Sequence, residues 1–124
     1  MSEQHTLVVG FIGLGVMGGA MCRNIALKHT GPVIAFDANP AAFAALEGTQ
    51  AQRAATVADV AAQADIVFLS LPGGPQVESV CLGAQGLTSG AHKPSAIVDL
   101  STTTVASARD VAARLAAVGV GFAD

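Results

Sequence analysis

Three groups of residues in this 124-residue chain have the types and spacing to do chemistry. The first is Gly13-Leu14-Gly15-Val16-Met17-Gly18, a Gly-x-Gly-x-x-Gly loop, with Asp37 further on. Glycine at the first position permits a tight turn. At the second it lets backbone approach a pyrophosphate, and at the third it lets a helix pack close to a strand. A helix opening at such a loop offers free N–H groups and a partial positive charge to phosphates. Asp37 has the position of the acid that accepts hydrogen bonds from an adenosine ribose. Its charge repels a 2′-phosphate, and Ala38, Asn39, Pro40, Ala41 and Ala42 supply no cation to hold one. The pattern therefore points to a dinucleotide site that prefers NAD over NADP. The second group is Leu71-Pro72, where a proline fixes the backbone at a strand end that skirts such a ligand. The third is Ser101-Thr102-Thr103-Thr104. Thr103 or Thr104 is the expected helix cap, which leaves Ser101 or Thr102 to face the nicotinamide or a substrate carboxylate.

Other reactive side chains do not assemble into a site. His5 lies in the N-terminal tail, His29 near a helix end and His92 in a polar loop, so all three read as surface residues. Cys22 and Cys81 fall on separate helices in no metal or redox spacing and read as small buried thiols. No metal site is expected.

The elements that must position these groups alternate between strand and helix along the chain, which implies a parallel α/β sheet. The expected order begins with a strand over 7–12 and a helix over 16–29 with Met17, Met21 and Ile25 on its apolar face. Gly31-Pro32 stops that helix, and a second strand follows over 33–37. Asn39 caps a short helix with Pro40 at its first position and Phe43 and Leu46 on its buried face. A weak strand lies near 51–54, then a helix with Thr56 and Asp59 spaced as a capping box. The run Ile66–Leu71 is the strongest strand, and Pro72-Gly73-Gly74-Pro75 ends it and opens another helix. A strand over 96–100 leads to a long helix with Val105, Ala108, Val111, Ala112, Leu115 and Val118 on one face. Val120–Ala123 opens a last strand, the sixth.

Composition fits this frame. The chain has the length of one domain. It is 52% hydrophobic and 12% charged, enough apolar residues for a core, with five Phe and neither Trp nor Tyr. A core of Ala, Val, Leu and Ile suits parallel strands covered by helices. The net charge of −3, without a basic cluster, argues against nucleic acid as a partner. No apolar run approaches the ~20 residues of a membrane helix. The polar start, Met1-Ser2-Glu3-Gln4-His5-Thr6, is no secretory signal, so a cytoplasmic protein is expected.

Taken together, the motifs resemble those of the β-hydroxyacid dehydrogenases, which include 3-hydroxyisobutyrate dehydrogenase, tartronate semialdehyde reductase and the threonate-type sugar-acid dehydrogenases. The resemblance covers nearly the whole chain. It rests on Gly10 through Gly18 with Met21 and Asn24, Phe36-Asp37, Asp65 through Pro72, Asp99-Leu100-Ser101-Thr102, and Gly121-Phe122-Ala123-Asp124. It implies a Rossmann-type, doubly wound and mainly parallel sheet of about six strands spanning residues 1–124. It also implies cofactor contacts from Gly13, Leu14, Gly15, Val16, Met17, Gly18, Asp37, Leu71, Pro72, Gln76 and Thr102, with Ser101 toward substrate. Gln76 is matched by spacing alone, and Val105 departs from the proline usual after the Ser-Thr pair.

The implied chemistry is hydride transfer between NAD and a small 3-hydroxy acid or the matching semialdehyde or keto acid. In the family an aspartate like Asp124 opens a substrate-binding segment, and a catalytic lysine and an all-helical domain follow. Neither Lys28 nor Lys93 matches that lysine, so this chain is expected to bind NAD without turning over and to self-associate through an uncovered apolar face. Three rivals share parts of the pattern. A 6-phosphogluconate dehydrogenase cofactor domain would carry an Asn-Arg-Thr-like segment after the second strand, which Phe36-Asp37-Ala38-Asn39 lacks. A non-catalytic NAD-sensing module would end at Asp124. An S-adenosylmethionine-binding domain fits least, given Leu71-Pro72 and Ser101-Thr102.

Overall fold

Six short strands, all but the Gln52–Arg53 edge strand mainly apolar, pair side by side into one all-parallel sheet, in the order β3-β2-β1-β4-β5-β6. The structure, a computed structural model, describes residues 6–124; His5 lies outside them. The strands are β1 (Val9–Ile12), β2 (Val33–Phe36), β3 (Gln52–Arg53), β4 (Ile66–Leu69), β5 (Ala96–Asp99) and β6 (Gly121–Ala123). The helices are α1 (Val16–Lys28), α2 (Val57–Gln63), α3 (Gly74–Leu82) and α4 (Val105–Ala116), and a 3-10 helix spans Pro40–Leu46. The central strand β1 pairs with β2 on one side and β4 on the other, Phe11 standing between Ala35 and Phe68. The order reverses there, as in the Rossmann-type fold expected from the motifs.

Alternation along the strands sends side chains to two cores. Val9, Phe11, Val33 and Ala35 face α1 and the 3-10 helix, where they meet Leu14, Cys22 and Leu46. Ile12, Ile34, Val67, Leu69 and Ile97 face the other way, against Val60, Val77, Cys81, Val111 and Leu115 of α2, α3 and α4. Burial on both faces is why these strands read as continuous apolar runs. Phe11 and Phe68 stack with ring centroids 6.1 Å apart.

Local signals act as their chemistry dictates. Asn39 accepts a hydrogen bond from Ala41 N at 3.1 Å, and Thr56 accepts one from Asp59 N at 3.1 Å. Of the two threonines offered for the last cap, Thr104 takes it, accepting from Ser107 N at 3.1 Å. Both cysteines are buried on helices, Cys22 on α1 and Cys81 on α3. Two helix faces differ from expectation. On α1 the buried residues are Gly18, Gly19 and Cys22, while Met17 is 73% exposed. Small residues make the closest contact with the sheet, Met21 and Ile25 pack partly buried against the same core as expected, and only Met17 turns away from it. Of the expected apolar face after β5, Ala108, Val111 and Leu115 are buried on α4, while Val105, its first residue, and Val118, past its end at Ala116, are exposed.

Candidate functional site

β1 ends at Ile12, and the chain turns at Gly13 with φ +101°, a conformation L side chains rarely adopt. A Cβ on Gly13 would collide with the Ser70 carbonyl oxygen, and one on Gly18 would collide with the Gly13 carbonyl oxygen. Gly15 differs, because a Cβ there meets nothing within 4 Å. The loop therefore needs glycine at two positions for its own packing and leaves open space over the third. Gly15 is the N-cap of α1, and no side chain caps that helix. Its first amides thus point without a protein acceptor toward the carboxyl end of the sheet.

A cleft of about 780 Å³ opens at this point. Gly13, Gly15, Val16, Met17, Gly18, Asp37, Leu71, Pro72 and Gln76 all line it. It sits between the ends of β1 and β4, where the strand order reverses, which is where open α/β sheets bind ligands. Val16 and Met17 are 96% and 73% exposed at its rim, an unfavourable placement for apolar side chains unless something rests on them.

Asp37 is fixed before any ligand arrives. Its Oδ2 accepts from Leu14 N at 2.7 Å and its Oδ1 from Asn39 N at 2.7 Å. The carboxylate thus ties the glycine loop to the turn after β2, and its remaining lone pairs stay available to the cleft. Leu14 enters the site through that amide alone, since its side chain is buried in the α1 core.

The Ser101–Thr104 segment supports the cleft from behind. Leu71 N donates to Ser101 Oγ at 2.7 Å, and Ser101 N donates to Asp99 Oδ1 at 2.9 Å. The Ser101 hydroxyl, expected to face substrate, braces the Leu71-Pro72 wall as an acceptor and keeps its own O–H to donate. Thr102 is exposed and does not line the cleft. Asp99 is 2% exposed, and its Oδ2 has no hydrogen-bond partner among the described residues.

Further lining residues escaped the sequence reading. Ser70 and Ala38 flank expected positions, and Ser79 and Val80 share a face of α3 with Gln76 at i+3 and i+4 spacing. That spacing would have found them. Neither Lys28 nor Lys93 lines the cleft, and Asp37 is its one titratable side chain among the described residues. The described residues hold no cluster of His, Cys, Asp or Glu able to bind a metal, and no helix among them is long and apolar enough to cross a membrane.

The family model described as the NAD binding domain of 6-phosphogluconate dehydrogenase matches residues 8–124. The chain belongs to this family. The NAD-binding domain is 37% identical to the 2-(hydroxymethyl)glutarate dehydrogenase of Eubacterium barkeri, over 98% of this chain and 40% of that protein. The solved structure of 3-hydroxyisobutyrate dehydrogenase from Salmonella typhimurium superimposes with a TM-score of 0.80 at 30% identity, covering 94% of this chain and 40% of that one. The structure of Psf3 in complex with NADP+ and 2-OPP gives a TM-score of 0.81 at 28% identity, over 92% of this chain and 40% of that one. The chain thus spans about 40% of the length of such relatives. The domain is of the type found in 3-hydroxyisobutyrate dehydrogenase-like oxidoreductases, as its motifs indicated. The 6-phosphogluconate dehydrogenase domain, set beside it as a rival, gives the same family its name.

Proposed function

We propose that this domain binds NAD(H) across the carboxyl end of its sheet and serves hydride transfer to or from a small 3-hydroxy acid. The observation that carries the reading is the open backbone at Gly15 beneath the uncapped start of α1. That combination suits a pyrophosphate, which needs close approach and N–H donors rather than side chains. Asp37 would accept from the adenosine ribose, and its charge favours NAD over NADP. Leu71, Pro72 and Gln76 would flank the ligand on the β4 side.

When bound, the nicotinamide accepts or supplies the hydride at the substrate carbon. The substrate hydroxyl must lose its proton in the same reaction, and that needs a base. Asp37, engaged at the turn after β2, is the one titratable group of the cleft among the described residues. The reading therefore has these 124 residues binding and orienting the dinucleotide, with proton transfer assigned to the lysine implied by the family resemblance. Losing general acid–base catalysis removes about 10²–10⁴-fold in rate.

Calorimetric titration with NAD+ and an absorbance assay with 3-hydroxyisobutyrate, glycerate and threonate test both parts. The expected result is saturable NAD+ binding without useful turnover, and binding weakened by about 1–3 kcal/mol in Asp37→Ala. A chain that binds no dinucleotide overturns the reading, and clear turnover overturns the assignment of the base.

A further inference from the structure

The cation missing from the residues after β2 is supplied by the neighbouring strand. β3 pairs with β2 so that Arg53 stands beside Ala35, two residues before Asp37. Its guanidinium carbon lies 4.2 Å from the centroid of the Phe43 ring. Stacking of this kind holds a guanidinium in place through attraction to the ring face. Arg53 is exposed, and none of the ion pairs or side-chain hydrogen bonds found among the described residues engages it. It lines a hollow of about 650 Å³ with Asp37, Ala38, Pro40 and Phe43. Phe36, Asp37 and Ala38 line both this hollow and the main cleft, so the hollow continues the cleft past Asp37.

We infer that Arg53 is the specificity-determining residue of the adenosine ribose subsite and that it accepts a 2′-phosphate, so that the domain takes NADP(H) as well as NAD(H). The inference rests on the dinucleotide reading above. In sites of this type an acid reads the ribose 2′-hydroxyl, and a nearby arginine accommodates a 2′-phosphate. Here both stand on one hollow, on adjacent strands. The planar guanidinium offers paired donors that match phosphate oxygens. Asp37 opposes the phosphate, but both of its oxygens already accept backbone N–H bonds, which spreads its charge. The balance between the cofactors is then set by Arg53 against Asp37.

The test titrates the 124-residue chain with NAD+, NADP+, adenosine 2′-monophosphate and adenosine 5′-monophosphate. NADP+ is expected to bind measurably, more weakly as salt rises, and the 2′-monophosphate to bind more tightly than the 5′-isomer. Arg53→Gln should weaken NADP+ by about tenfold or more, the loss of one charge-assisted contact, and leave NAD+ within about threefold. Phe43→Leu, which removes the stacking surface and keeps the cation, should act in the same direction to a smaller extent. Far-UV circular dichroism checks that both variants fold. Equal weakening of both cofactors in Arg53→Gln, or unchanged NADP+ binding, overturns the role of Arg53 while leaving the dinucleotide site standing. Failure of the unaltered chain to bind NADP+ while NAD+ binds overturns it as well. Failure to bind either dinucleotide overturns both readings together.

Discussion

Gly13, Gly15 and Gly18 look alike in the sequence, yet the structure separates them. Gly13 and Gly18 are required by the protein's own backbone, since a Cβ at either meets a carbonyl oxygen. Gly15 meets nothing, so within the chain alone it carries no packing role. A side chain there occupies only space that a ligand would need. Gly15→Val is therefore expected to abolish NAD+ binding and leave the circular dichroism spectrum and the urea midpoint near those of the parent. Gly13→Ala is expected to lose stability as well, because it adds strain at φ +101° to the collision with Ser70. A Gly15→Val variant that binds with unchanged affinity would show that the phosphates do not lie over this residue. Asp37 teaches a related point. Its type and position were legible, but its two bonds to Leu14 N and Asn39 N were not, because they follow from how the loop and the turn meet in space. Arg53 lay further out of reach, since it comes beside Ala35 only through the register of β3 on β2.

Strand and helix order was legible throughout, because buried parallel strands read as apolar runs and Gly, Pro, Asn and Thr mark their ends. Boundaries were less so. The run 66–71 pairs only over Ile66–Leu69, and the rest bends away into the cleft wall. That bend depends on β5. Leu71 N donates to Ser101 Oγ, and Ser101 is held in turn by Asp99. Four clustered hydroxyls suggested a group facing substrate, and the bracing bond that one of them, Ser101, accepts from Leu71 N was not legible because it joins two different strands. Ser101→Ala leaves the part-buried Leu71 N–H without its acceptor, a loss of about 1–3 kcal/mol. The expected outcome is a lowered urea midpoint together with several-fold weaker NAD+ binding, since the Leu71-Pro72 wall is freed. Thr102→Ala should change the midpoint little, because the Thr102 side chain is exposed. Equal stability of Ser101→Ala and the parent chain would show that the bridge does not hold the wall.

The two cores each contain one thiol, Cys22 on the α1 side and Cys81 on the other. Burial pushes both up from 9.0 to about 12, and the charge of Asp99 adds to the rise at Cys81. The folded protein then holds these protons more tightly than the unfolded chain does. The stability this lends is full below pH 9 and is lost as pH climbs from 9 toward 12. The chain has no tyrosine to titrate in the same window. The unfolding free energy is expected to hold near neutrality and fall above pH 9, by up to about 1.4 kcal/mol per pH unit for each thiol, and the urea midpoint should fall with it. A Cys22→Ala, Cys81→Ala double variant should flatten that fall, and a parent chain with no alkaline decline would refute the assignment.

Helix coverage of the sheet is uneven, and this bears on association. α2, α3 and α4 cover one face from β1 to β6, while α1 and the 3-10 helix reach only the β2, β1 and β4 part of the other. On that second face Phe68 of β4 is paired with Val98 of β5, and Ile66 with Ala96. All four are only partly buried, and Ala96 and Val98 belong to neither core. Leu100, which follows β5, is also exposed. Apolar surface gathered in this way is removed from water by association, at about 25 cal/mol per Å². The 124-residue chain is therefore expected to self-associate through the β4–β5 face. Light scattering across a concentration series should give an apparent mass rising above the 12.3 kDa of one chain. Val98→Lys places a charge in the middle of that face and should hold the protein at the single-chain mass, with NAD+ affinity unchanged because Val98 does not line the cleft. A parent chain that stays monomeric at millimolar concentration, or a Val98→Lys variant that associates as strongly as the parent, would show that this face is not where two copies meet.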